Sequence, residues 1–108
     1  MPTTEVVHVI DDDEGVREGL CALLDAKDYA AQAHASCEEF LSSFSANSAL
    51  CIVADLRMPG MGGLDLQTHL LRNSIDLPFI VITGHGDVSS AVRALKSGAA
   101  DFIEKPID

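Results

Sequence analysis

The feature that most constrains this chain is an alternation of short apolar runs with amphipathic stretches. The run Phe79-Ile80-Val81-Ile82 shows it most plainly. It is continuously apolar, as a parallel strand covered on both faces must be. Comparable runs occupy residues 6–10, 29–33, 50–54 and 101–104, the second being weaker and Ala-rich. The stretches between them carry helical periodicity. The pattern is (βα)₄β, an α/β fold with helices on both faces of a parallel sheet. Right-handed crossovers make that sheet doubly wound. Five strands suffice for the order 2-1-3-4-5, the flavodoxin-like arrangement with strands 1 and 3 adjacent at the switch point.

The first helix is expected over 15–26, with Val16, Leu20, Leu23 and Leu24 as one buried stripe. Asp13 or Glu14 near its start suits the positive end of the helix dipole. Ser36-Cys37-Glu38-Glu39 has the spacing of a capping box, and a helix to about residue 44 should bury Phe40, Leu41 and Phe44. Residues 45–48 read as a loop. A turn-rich segment, 58–63, precedes a third helix over 64–72 with Leu66 and Leu70 paired. A fourth, over 88–96, should bury Val88, Ala91, Val92 and Leu95 before Gly98 stops it.

A chain of 108 residues with 47% hydrophobic content supports one domain and one core. No apolar run has the length of a membrane span, and the N-terminus has no basic leader, so a cytoplasmic location and no membrane partner are expected. Cys21, Cys37 and Cys51 lack metal-site spacing, and Cys21 and Cys51 read as small core residues. The net charge of -10 argues against direct DNA binding by this domain.

The topology gathers Asp11, Asp12, Asp55, Thr83 and Lys105 on one rim, at the carboxyl ends of strands 1, 3, 4 and 5. Asp55 is expected to be exposed there. Taken singly, each has an ordinary reading: a turn Asp, a solvated helix start, a strand Thr, a surface Lys. Together they compose a site. Three carboxylates repel one another, and all-oxygen ligands favour a hard cation such as Mg²⁺. With Mg²⁺ present, Asp55 would be a nucleophile for a phosphoryl group, with Lys105 and Thr83 on the phosphoryl oxygens. His8, His34 and His69 read as structural or surface residues, and His85 lies near the rim.

At these residues the sequence resembles the receiver domain of bacterial two-component response regulators. The matching segments are Val9 to Glu14, Asp55 to Met61, Ile82 to Gly86 and Gly98 to Pro106. The Thr83-Gly84-His85-Gly86-Asp87 segment and the run from Asp101 to Pro106 look most like the FixJ-type branch, whose receivers usually precede a helix-turn-helix domain. The resemblance implies Asp55 as phosphoacceptor, Asp11 and Asp12 as the acidic pair, and the Arg57 backbone carbonyl as third Mg²⁺ ligand. It implies Thr83 and Lys105 as phosphoryl contacts, a cis Lys105-Pro106 bond, and Thr83 with Phe102 as the switch pair. It implies a sensor histidine kinase as partner, a phosphorylation-dependent homodimer of the full-length protein, and an output in transcription. Two departures stand out. Gly62-Gly63 replaces the usual polar residue before glycine, which predicts a more flexible loop. The chain also ends where a fifth helix should begin, so 1–108 reads as a single receiver domain, the N-terminal fragment of a longer regulator, with one flank of its sheet uncovered.

Two other readings compete. A phosphohydrolase working through an aspartyl-phosphate needs an acid/base Asp two residues after the nucleophile, where this chain has Arg57. That leaves self-phosphorylation and slow self-dephosphorylation in place of sustained turnover. A phosphorylation-independent interaction module would not need every rim residue intact.

Overall fold

Five parallel strands form the sheet: β1 (Val6–Ile10), β2 (Ala30–His34), β3 (Ala49–Asp55), β4 (Phe79–Thr83) and β5 (Asp101–Glu104). Their order is β2-β1-β3-β4-β5, as the alternation predicts. The structure, a computed structural model, describes residues 5–44, 49–84 and 87–105. The loop expected at 45–48, His85 and the Lys105-Pro106 bond lie outside the described residues. Four helices are present among them: α1 (Glu14–Ala26), α2 (Cys37–Ser43), α3 (Gly63–Arg72) and α4 (Val88–Lys96). None is long and apolar enough to cross a membrane.

Local chemistry sets the helix ends. The Asp13 carboxylate accepts from the Val16 amide at 3.2 Å and caps α1. Ser36 does the same for α2, accepting from Glu39 at 3.0 Å. Gly98 ends α4 at φ +111°, a left-handed position where a side chain would be strained, and the Ala99 amide then reaches the Ala94 carbonyl at 3.0 Å. Tyr29 falls outside β2, because its amide closes the end of α1 on the Leu24 carbonyl.

Alternation along the strands divides the core in two. Ile10, Ile52, Ala54, Phe79 and Val81 meet Cys37 and Phe40 of α2, Leu66 and Leu70 of α3, and Ala91 and Ala94 of α4. Val7, Val9, Val53 and Ile82 point the other way and meet Leu20 of α1. Two expected stripes are corrected. Leu23 is 42% exposed, because α1 settles on Leu20 with Val16 and Leu24 only partly buried. In α4 the buried residues are Ala91 and Ala94, while Val88 and Val92 are exposed. The small alanines let that helix approach the sheet, which turns the valines outward. Leu41 and Phe44 are half-buried, and Phe40 alone of the expected α2 trio is fully enclosed.

On the α1 side an apolar groove of about 310 Å³ runs beside the helix, lined by residues that include Leu23, Tyr29, Cys51, Ile80 and Ile103. Among the described residues α1 is the one helix on this flank of the sheet.

Candidate functional site

Each rim residue is delivered by a strand end. Asp55 is the last residue of β3 and pairs with Ile82 of β4. Thr83 ends β4, and its carbonyl accepts from the Lys105 amide at 2.8 Å, which extends the β4–β5 pairing and holds Lys105 on the rim. Asp11 follows β1, and its carboxylate accepts from the Asp13 amide at 2.9 Å. Arg17 of α1 reaches back and donates to the Asp11 carbonyl at 2.8 Å.

The side chains converge. Lys105 Nζ lies 2.9 Å from Asp55 Oδ2 and 3.3 Å from Asp11 Oδ2. The first is a hydrogen bond; the second is an ion pair, and the buried Asp11 Oδ2 makes no hydrogen bond beside it. Oxygens of Asp11, Asp12 and Asp55 lie within 4.8 Å of one another. Asp12 faces solvent, and Asp11 is fully buried. The expectation that Asp55 is exposed is corrected: it is 5% exposed, because the loop after β3 and Lys105 close over it. Its Oδ1 accepts from the Arg57 amide at 3.2 Å.

These placements perturb two groups. Burial pushes the Asp11 carboxyl up; the Asp13 amide opposes this, and the Asp55 charge adds to the rise. Burial pulls the Lys105 ammonium down, but its hydrogen bond to Asp55 and the charges of Asp55 and Asp11 outweigh that and leave it raised. The site therefore holds three carboxylates whose oxygens lie within 4.8 Å of one another, answered by the single ammonium of Lys105 and with no His or Cys donor among them. That donor set fits a hard divalent cation such as Mg²⁺.

Thr83 is on the rim, and its hydroxyl is engaged by backbone in place of Asp55. Its hydroxyl donates to the Asp87 carbonyl at 3.0 Å, with the Gly84 carbonyl at 3.3 Å. Phe102 is half-buried on β5 and packs against the core cluster shared by α2, α3 and α4.

Three features have a role that the sequence reading did not give them. The first is Gly62-Gly63, predicted to loosen the loop. A Cβ on Gly63 would lie 2.7 Å from the Asp55 carbonyl oxygen, and one on Gly62 would lie 2.5 Å from that of Leu56. The glycines serve close packing of α3 against the backbone of Asp55, and two adjacent glycines at a helix start were the available signal. The second is an ion pair between Arg57 and Asp87, with Nε 2.6 Å from Oδ2 and Nη2 3.2 Å from Oδ1. The hydrogen bond from Arg57, then one from Ser90, holds the Asp87 carboxyl below its usual range. The third is a buried pair, His8 Nδ1 to His34 Nε2 at 3.0 Å, packed on Phe40. In strand order 2-1 the two histidines share a face two residues apart in register, which sequence could have revealed. His69 is exposed, as expected of a surface residue. Cys37 is buried and its thiol is pushed up to about 12, by burial first and then by Glu38 and Asp65, so it is a poor nucleophile.

A doubly wound parallel sheet with an acidic pocket at its switch point and a lysine across from it defines a class. Residues 7–108 match the response regulator receiver domain, and the chain belongs to that family. It is 49% identical over 108 residues to the transcriptional regulatory protein FixJ of Azorhizobium caulinodans, covering 100% of this chain and 51% of the relative. It is 46% identical to FixJ of Rhizobium meliloti over 106 residues, 98% of this chain and 52% of the relative. The chain thus spans about half the length of these curated relatives. Among solved structures, FixJ-N superposes with a TM-score of 0.84 at 46% identity, covering 96% of this chain and 83% of that one. The response regulator StyR gives 0.89 at 40%, covering 97% and 53%. The chain is a receiver domain of the FixJ-like branch of two-component response regulators.

Proposed function

We propose that this receiver domain is a phosphorylation switch with Asp55 as the phosphoacceptor. The observation that carries the reading is Lys105 Nζ lying 2.9 Å from Asp55 Oδ2 and 3.3 Å from Asp11 Oδ2. It leaves a nucleophilic carboxylate, a cation for a phosphoryl oxygen, and an acidic pocket for a metal in one place. Asp11, Asp12 and Asp55, with the Arg57 carbonyl, would hold Mg²⁺. A bound divalent cation neutralises charge on the transferring phosphoryl group. A carboxylate oxygen of Asp55 attacks phosphorus as the bond to the donor breaks, and the electron pair leaves with the donor. Lys105 then pairs with a phosphoryl oxygen, and Thr83 turns from Asp87 to donate to another. Phe102 reports that movement on the face shared by α4 and β5.

A sensor histidine kinase is the donor in this reading. The names of the FixJ relatives, transcriptional regulatory proteins of which this chain spans about half, support a transcriptional output. The proposed regulator is a longer, cytoplasmic protein that forms a phosphorylation-dependent homodimer, with residues 1–108 as its receiver. Arg57 stands where a hydrolase would carry its acid/base, so the aspartyl phosphate persists and turnover is slow.

The test is labelling with acetyl phosphate and Mg²⁺, read by intact mass. The wild type gains a phosphoryl group that hydroxylamine removes, and Asp55→Asn gains none. Persistent labelling of Asp55→Asn overturns the assignment. Phosphoryl-independent binding of a partner at undiminished affinity would favour the interaction-module reading instead.

A further inference from the structure

We propose that the Arg57–Asp87 ion pair is a brace that keeps the Thr83 hydroxyl on the Asp87 carbonyl, so that breaking it favours the phosphoryl-ready arrangement. The inference rests on the phosphoacceptor reading and extends it to residues outside the pocket.

The argument is a closed chain of contacts. The Arg57 amide donates to Asp55 Oδ1 at 3.2 Å. The Arg57 guanidinium grips both carboxylate oxygens of Asp87, at 2.6 and 3.2 Å. The Asp87 carbonyl accepts the Thr83 hydroxyl at 3.0 Å. Thr83 ends the strand that lies beside β3. One residue, Asp87, therefore holds Arg57 with its side chain and Thr83 with its backbone. It precedes α4, yet its side chain caps no backbone amide of that helix; it takes a hydrogen bond from the Ser90 side chain and grips Arg57 in the ion pair. For Thr83 to donate toward a group on Asp55, its hydroxyl must leave the Asp87 carbonyl. Anything that fixes Asp87 opposes that departure.

The size of the bias follows from exposure. The Arg57 side chain is 78% exposed and that of Asp87 13%. Exposed pairs are individually weak, but two-point guanidinium–carboxylate geometry is the favourable case. A shift of about two- to fivefold in the balance between the two arrangements is the expected scale. That would set the threshold of the switch without abolishing it.

The test uses beryllofluoride with Mg²⁺ as the phosphoryl mimic, titrated into wild type, Arg57→Gln and Asp87→Asn, with the Thr83 methyl followed by NMR. The brace predicts that both variants bind the mimic about two- to fivefold more tightly. It also predicts that their unliganded Thr83 methyl signals move toward the bound position. The pair acts as a unit, so the double variant should gain no more than either single one, and in a Thr83→Ala background the gain should vanish. Simple electrostatics predicts otherwise: losing a cation and losing an anion near the pocket should shift affinity in opposite directions. Opposite shifts, no shift, or a gain that survives in Thr83→Ala overturns the brace. Thermal melts check that both variants fold, and the exchanged pair Arg57→Asp with Asp87→Arg should restore the wild-type affinity. A wild type that does not bind the mimic, or an Asp55→Asn variant that binds it equally, overturns the phosphoacceptor reading and the brace with it. A normal wild-type response with unresponsive variants overturns the brace alone.

Discussion

The two faces of the sheet are built differently. One is covered by α2, α3 and α4 and encloses Phe40, Ile52, Leu66, Val81 and Ala91 completely. The other has α1 alone among the described residues, with Leu20 its single buried residue and an apolar groove beside it. The first face also carries the polar features that need exact surroundings: the histidine pair, the glycine start of α3, and α4 beside Thr83. The rim between the faces is held from both, since Arg17 of α1 donates to the Asp11 carbonyl at 2.8 Å. The difference teaches that one side of this sheet is closely packed while the other, among the described residues, is covered by α1 alone.

The largest test of that asymmetry is Phe40→Ala. A fully enclosed aromatic leaves a cavity that neighbours cannot fill, at a cost of about 3–5 kcal/mol in urea unfolding. Leu20→Ala on the other face should fall near the low end for leucine, about 2 kcal/mol. Equal costs would break the comparison.

Next is Gly63→Ala, which asks whether the first face also positions Asp55. Alanine gains about 1 kcal/mol of helix propensity. Its Cβ would meet the Asp55 carbonyl oxygen at 2.7 Å, a backbone atom that cannot swing aside. Overpacking of about 1–3 kcal/mol should prevail. Unfolding should show a net loss, and acetyl phosphate labelling of Asp55 should slow. Unchanged stability and labelling would show that α3 has slack.

Acid should find the first face through His8 and His34. Burial lowers both; the neighbouring His34 lowers His8 further, and Glu39 partly offsets the effect on His34. The unfolded chain takes up protons near pH 6.5, which the folded pair resists. Stability from this pair is therefore complete above about pH 6.5 and is lost as pH falls toward the depressed folded values. Asp11, with its raised carboxyl, works in the opposite sense, so the comparison is with His8→Leu/His34→Leu, which retains it. Unfolding free energies at pH 7.5 and 5.5 should differ less in that variant than in the wild type.

The smallest effect belongs to the open face. Leu23→Gln, at a 42% exposed position, should change stability by no more than about 0.5 kcal/mol. A loss several times larger would mean that something covers the groove in solution.

Much of this was legible in the sequence. The strand at 79–83 and the helix pair Leu66 and Leu70 were readable because their apolar periods are local. The rim residues were readable because parallel topology sends every strand end to the same edge. The choice of helix face was not. Leu23 and Val92 fit their stripes by spacing, yet the contact each helix makes with the sheet left them outside. Gly62-Gly63 was misread because a glycine required by close approach and one that loosens a loop look alike until the neighbouring backbone is in place.

The sequence by itself determined the order of elements, the membership of the rim and the family. Hydrophobic period and crossover handedness follow from local chemistry and chirality. Only the tertiary structure decided that Asp55 is buried, that Lys105 sits on it from fifty residues away, and that Arg57 grips Asp87 across thirty. Those pairings depend on how strand ends and helix starts align once the sheet closes, and no local pattern records that alignment.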